Sequence, residues 1–416
     1  MARPAPGDAA RRGPIADTLR TPGVSRTLLT SLVARLPFAA VTVLLLLRTR
    51  DLGGTYAAAG LVVTAYAAVS GITEPLIARL ADRRGQTPVL AVTIPLNAAA
   101  FGLAAAAASP GVLALAGALI GASYPQVGGM ARTLLVELLP DERRRTAGFA
   151  LETGSVEVLF ISAPAIFVGG VAGHAGTSNA FIAAAALAAA GSTWFAMSPA
   201  SRQWRPNPHL ASGPVRLATP AYCALVAVVF GLGCTLGTID VALTAFAEHQ
   251  GTRAAVGWLL ALSAAGSLAG GLAVARLPPP GSATRRLALL LALLLALQAA
   301  TTLLLVIPAS LPAMAAAVTV NGLTVAPAMA TVFSLVAAAV PRGRLTEGFA
   351  WLGTGLMVGA ALGAALGGAL LTHAPADAAF AVAAFPLVVA ALAAAARRSE
   401  PVATDQGPQR DAGRIG

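Results

Sequence analysis

The sequence predicts an all-α integral membrane protein, with twelve transmembrane helices in two pseudo-symmetric six-helix bundles. Three observations lead there. Hydrophobic residues make up 57% of the 416 and charged residues only 11%, whereas a soluble domain carries about 25% charged residues. Apolar runs of about the 20 residues needed to cross a bilayer recur along the chain. Arginines gather in the connections at alternate ends of those runs, as the positive-inside rule requires. So few charges cannot clothe a globule of this size in water, so much of the surface must face lipid.

Taken in order, the candidate spans are 27–47, 55–78, 88–108, 112–139, 146–172 and 178–197, then 219–247, 254–277, 287–307, 311–340, 345–372 and 378–396. The separators are short and rich in Pro, Gly and Arg, as turns should be. With the N-terminus in the cytoplasm, the inside segments carry 23 arginines and the outside only Arg48, Arg50 and Arg253. Both termini are then cytoplasmic and the protein sits in the cell (plasma) membrane as a multi-pass chain. The longest connection, 198–218 ("SPASRQWRPNPHLASGPVRLA"), is polar and proline-rich, which suits a linker. It divides the chain into a cytoplasmic N-terminal tail (1–26), an N-terminal bundle (27–197), a C-terminal bundle (219–396) and a cytoplasmic C-terminal tail (397–416). An internal repeat supports the division. "TAGFA" at 146–150 returns as "TEGFA" at 346–350, and "GGMARTLL" at 128–135 is loosely echoed by "APAMATVF" at 326–333. Two parallel halves related by an axis along the membrane normal are a known transporter plan.

Several function classes drop out. The net charge of +11 comes from arginine in short connections and not from a basic surface, so nucleic acid is not a partner. Lysine is absent and there is no GxxxxGK[ST] loop, which leaves no site for ATP-driven transport by this chain. His174, His209, His249 and His373 fall in separate loops, so no metal set or catalytic cluster forms, and no cofactor is expected. Cys223 and Cys234 lie about 16 Å apart if on one helix, too far for a disulfide, and read as small apolar side chains. The first apolar run is too long for a signal peptide and lacks an obvious cleavage site.

The turn after span two reads "ARLADRRGQT" (78–87). At this position, within twelve spans, it resembles the major facilitator superfamily over nearly the whole chain. Asp82, Arg83 and Gly85 match the family's Asp-Arg-x-Gly. Ala78 replaces the leading glycine, and Gln86 and Thr87 replace the trailing basic pair. The resemblance implies a gating loop, and the physics agrees. A helix N-terminus carries about half a positive charge, and span eleven begins near Arg342 and Arg344, so Asp82 can latch there when the inner gate closes. "SAPAIFVGG" in span five loosely resembles the family's antiporter motif, with Pro164, Gly169 and Gly170 present and Ala163 in place of a glycine. A proline kink with small-residue packing accounts for it equally well. In span eleven, Gly355, Gly359, Gly363 and Gly367 form one ridge, read as a packing face between the halves.

Charges inside the membrane point to the mechanism, because a carboxylate there costs about 2.5–3.5 kcal/mol on insertion scales. Arg35, Arg132 and Glu152 each fall roughly 9–12 Å from the cytoplasmic ends of their spans at 1.5 Å per residue. Glu152 is therefore expected to pair with Arg132 or Arg35, either as a transport element or as a fixed ion pair. The resemblance adds that the family often places a functional arginine in span four, where Arg132 lies. Glu157 is deeper, with no basic residue at its depth. A carboxyl group without a partner in low dielectric favours its protonated form, so Glu157 is the first candidate for proton coupling. The alternative is a neutral glutamate bonded to a neighbouring helix. Asp240 in span seven and Glu74 in span two are candidate cavity charges, while Glu137 and Glu248 lie near helix ends at the interface. Asn97, Tyr124, Gln126, Gln298 and Asn321 either face substrate or bond between helices. The expected function is secondary active transport by a monomer working by alternating access, most simply proton-coupled efflux of a small hydrophobic or amphipathic compound. Uptake of a nutrient or metabolite stays open, as does uniport; a membrane-embedded enzyme or sensor is the remote alternative.

Overall fold

The computed structural model describes residues 14–206, 217–251, 255–276, 284–371 and 373–396. The chain before residue 14, His209 and Arg216 of the linker, Arg253 and the C-terminal tail lie outside them, as do the side chains of Pro164, Glu248, Arg276 and Arg285. The described residues are helical almost throughout and contain no strand. A helix satisfies its backbone hydrogen bonds internally, which lipid demands.

Among the described residues, ten helices are long and apolar enough to cross a membrane. The remaining two of the expected twelve are also present. Span five, Glu142–Ala163 continuing as a wider π-type helix over Pro164–Ala172, is interrupted in its apolarity by Glu152, Glu157 and the arginines of its first turn. Span twelve is divided into Ala376–Ala383 and Phe385–Ala396.

Continuous helices were expected in spans one, four and ten, but each is broken. Span one runs as Val24–Arg35, a tight turn over Leu36–Ala40, and Val41–Asp51. Span four is Pro110–Ala122 and Val127–Leu138, and span ten is Leu311–Gly322 and Val325–Ala339. Pro37 and Pro125 sit at two of the breaks, where the missing N–H and the constraint on the preceding residue interrupt a helix. Ahead of span one, part of the expected tail forms a short helix, Pro14–Arg20. Its Thr18 is buried and donates to the Arg144 carbonyl at 3.3 Å. After span six (Thr177–Ala196), Trp204 Nε1 donates to Glu137 Oε1 at 2.9 Å, fastening the start of the linker to the end of span four.

The cores show how the halves meet. At the end bearing the arginine-rich connections, one hydrophobic cluster draws on both halves, uniting Leu135, Phe149 and Ala150 with Phe333, Leu345 and Phe349. Toward the opposite end each half keeps its own cluster, around Leu44, Phe101 and Phe181 in one and Leu243, Met314 and Phe380 in the other. The molecule is closed across its arginine-rich end. The TAGFA and TEGFA repeats lie in that closure and touch each other: Phe149 and Phe349 pack edge-on at 5.9 Å, with Phe333 against both.

Candidate functional site

Span one's break ends its first helical piece at Arg35, the break in span four starts a second piece carrying Arg132, and span five supplies Glu152. The three meet. Arg35 Nη1 donates to Glu152 Oε1 at 2.7 Å and Arg132 Nε donates to Oε2 at 2.9 Å. Pairing with one arginine or the other was expected; both are engaged. Glu152 is 1% exposed, against 14% for Arg35 and 12% for Arg132, so the carboxylate is the most enclosed member of the cluster. Gly128 makes room for this, because a Cβ there would stand 3.2 Å from the Arg35 guanidinium. Arg132 also lies 4.2 Å above the Phe333 ring, a cation–π contact across the two halves.

Glu157 has a partner that the sequence did not suggest. Its Oε1 accepts from Ser267 Oγ at 2.8 Å, on span eight (Ala255–Arg276) of the other half. Among the described residues no basic group pairs with Glu157, and its bond to a neighbouring helix is the arrangement the alternative reading gave it. Ser70 donates likewise to Glu74 Oε1 at 2.7 Å within span two (Tyr56–Arg84). The two serines occupy matching places in the halves, each backed by a glycine of the crossing helix, Gly121 on span four and Gly322 on span ten. Tyr124 and Gln126, at the break in span four, lie within electrostatic or hydrogen-bonding reach of Arg35 and Glu74. Asn97 bonds Ile120 O and Ser123, and Asn321 bonds Thr301 and Thr302. Gln298 accepts from Thr324, so these three serve packing between helices. Asp240 is exposed and lines a cavity with Thr244 of span seven and Gly368 and Leu371 of span eleven.

At the closed end, Asp82 is not in a loop. Span two continues to Arg84, and the turn is made at Gly85, whose φ of +98° favours glycine. Held on that helix, the buried Asp82 accepts from Thr346 N at 3.2 Å and from Glu347 N at 2.8 Å, capping span eleven (Leu345–Leu371) from the other half. Arg83 is exposed. Thr133 and Thr346 share a 2.9 Å hydrogen bond, Glu347 pairs with Arg344 at 2.7 Å, and Arg79 approaches it at 4.0 Å. The ridge of Gly355, Gly359, Gly363 and Gly367 does not face the other half. It packs on span seven (Pro220–His249) of its own half: a Cβ at Gly359 or Gly363 would fall 2.1 Å from Phe230 O or 2.0 Å from Cys234 O. Four glycines in register reveal a close approach but not its partner.

A family model described as the Major Facilitator Superfamily matches residues 27–277 and 223–414, almost the whole chain. The chain belongs to the Major Facilitator Superfamily. It is accordingly a multi-pass membrane transporter of small molecules and not an enzyme. A search of the curated proteins by sequence found no match. Among solved structures, the human organic anion transporter MFSD10 (TETRAN) superposes with a TM-score of 0.72 at 16% identity, covering 89% of this chain and 98% of that one. A bacterial homologue of the iron transporter ferroportin, in an outward-facing state, gives 0.69 at 16% identity, covering 90% and 98%. At such identities these superfamily members share the fold.

Proposed function

We propose that this Major Facilitator Superfamily protein exports a small amphipathic compound in exchange for protons. It works as a monomer in the plasma membrane with both termini cytoplasmic. The observation that carries this reading is the placement of the ties between the halves. Asp82, the Thr133–Thr346 bond and the Phe149–Phe333–Phe349 cluster all lie toward the arginine-rich end. The described residues of the opposite end form separate cores. With the arginines inside, this is a transporter shut to the cytoplasm and parted toward the exterior, one of the two states that alternating access needs. Asp82 is the latch of the inner gate.

Glu157 is the proton carrier in this scheme. Its bond to Ser267 crosses between spans five and eight, two helices that must part when the inner gate opens. A carboxyl group that gains and loses a hydrogen-bond donor between the two states differs between them in its affinity for a proton. Glu152, held by two arginines of its own half, is the fixed member of the two glutamates in this scheme. Proteoliposomes with an imposed pH gradient and doxorubicin as the reporter test this. Wild type should move the dye against its own gradient, and Glu157→Gln should fall to the rate seen without a pH gradient. Unchanged flux in Glu157→Gln removes that residue from the mechanism, and wild-type flux indifferent to pH makes the protein a uniporter.

A further inference from the structure

Spans seven and eleven touch backbone to backbone at Gly233, Gly237, Gly359 and Gly363, and last at Gly367 against Thr238. Beyond Thr238 the two helices border an open recess of about 530 Å³ lined by Asp240, Val241, Thr244, Ala245, Gly368 and Leu371. A Cβ at Gly368 would meet nothing within 4 Å, so the recess is open there. The other faces of span seven are covered. Ile239, Ala242, Leu243 and Phe246 enter the core of the C-terminal half, and Thr235 donates to Ala383 O of span twelve at 2.7 Å. Asp240 and Thr244, one turn apart, occupy the face that remains.

The chemistry of this recess is one-sided. Its walls are apolar apart from Asp240 and Thr244, and the Thr244 hydroxyl is turned to the Asp240 carbonyl at 2.8 Å and away from the carboxylate. Among the described residues, the Asp240 carboxylate has no hydrogen-bond donor or ion-pair partner within reach. Asp240 is exposed in this open recess, so its carboxylate is within reach of a bound cation, and the volume leaves room for a partner with an apolar body.

We propose that the recess between spans seven and eleven binds a monovalent organic cation, its charged centre on the Asp240 carboxylate and its apolar body against Val241, Ala245 and Leu371. This names the substrate class of the transporter reading above and rests on it. The test is equilibrium binding to the purified full-length protein, with tetraphenylphosphonium as the cation and tetraphenylborate as an anion of the same shape. The cation should bind saturably and the anion should not. Affinity for the cation should fall at least about tenfold in Asp240→Asn, the scale of a lost charge-assisted contact. It should fall similarly in Gly368→Leu, which fills the recess from a position with no neighbours to disturb, and survive in Asp240→Glu. Unaltered affinity in Asp240→Asn, or tetraphenylborate bound as tightly as the cation, overturns the site. If Asp240→Asn does not fold, Gly368→Leu decides by the same criterion. Cysteine accessibility at the inner gate, followed in the same protein, separates the two readings: a gate that opens without cation binding leaves transport standing and removes the site. A site that binds in a gate that never opens does the reverse.

Discussion

Span five opens with TAGFA and span eleven with TEGFA, and the two phenylalanines meet in the closed gate. From there the helices diverge. Where span five has Glu152 and Glu157, span eleven has Leu352 and Met357 at the same offset; where span eleven has Gly355, Gly359, Gly363 and Gly367, span five has Ser155, Leu159, Ala163 and Phe167. The N-terminal half therefore joins spans one, four and five through a buried charge cluster. The C-terminal half joins spans seven and eleven through glycines seated on carbonyl oxygens, while spans eight and ten use the same glycine contact as their counterparts two and four, where Gly121 lies on Tyr66 O. Repeated halves have kept the contacts they share, and spans five and eleven have solved their own packing by different chemistry. Only the charged solution can also take part in moving an ion.

Whether the charges bind the half together or serve transport can be broken apart by substitution, and the effect is the largest expected here. Glu152→Ala leaves Arg35 and Arg132 facing each other without their carboxylate and should cost about 3–5 kcal/mol, the scale for breaking a buried ion pair. Replacing all three residues with methionine should restore most of the thermal stability, because an apolar set of similar volume avoids the desolvation cost. Gradient-driven transport should stay lost. A triple variant that transports normally would make the cluster a structural tie and nothing more.

The glycine side is sharpened by a pair of alanine substitutions. At Gly270 a Cβ would stand 1.8 Å from Leu323 O, so span eight and span ten must separate. Gly270→Ala should destabilise by about 1–3 kcal/mol or more, as overpacking does. Gly60 on span two has nothing within 4 Å, and Gly60→Ala should be neutral or slightly stabilising, since glycine costs up to about 1 kcal/mol in a helix interior. Equal melting temperatures for the two variants would remove glycine contact as the basis of the C-terminal half.

Much of this was legible before any coordinates. Arg132 and Glu152 stand equally far from the turn joining their helices, so an antiparallel pair had to bring them level, and depth alone added Arg35. Asp82 preceded a turn at the end where span eleven begins, and helix-end electrostatics sufficed to connect them. What escaped lies across interfaces that periodicity cannot see. Ser267 is on a different half from Glu157, and one serine among the many small residues of span eight carries no mark. The glycines of span eleven announced a close approach, but the answering Gly233 and Gly237 of span seven had to be noticed to identify its partner. The shared phenylalanine of the two repeats was the one available sign that the halves touch through them. Breaks at Pro37 and Pro125 were readable in principle; apolarity continues through them, and a hydropathy pattern hides the change of direction.

The smallest expected loss concerns a place where the halves are tied by charge and backbone together. Asp82 offers two carboxylate oxygens to two N–H groups at the start of span eleven. In Asp82→Asn the side chain would offer one oxygen and turn an amide N–H toward a donor, and it would bring no charge to the helix dipole. A loss of about 1–2 kcal/mol from the closed gate follows, which is roughly tenfold in the ratio of closed to open. The fold should be untouched, because no helix loses its own packing. Thr331, buried near the gate and bonded to its own helix at Pro327 O, is a suitable reporter. In a background with Cys223 and Cys234 replaced, the thiol of Thr331→Cys should react with a membrane-impermeant maleimide from the cytoplasmic side about tenfold faster in Asp82→Asn than with Asp82 present. An unchanged rate would mean that the aromatic cluster and the Thr133–Thr346 bond close the gate without it, and that the charge on span two is there for the helix end alone.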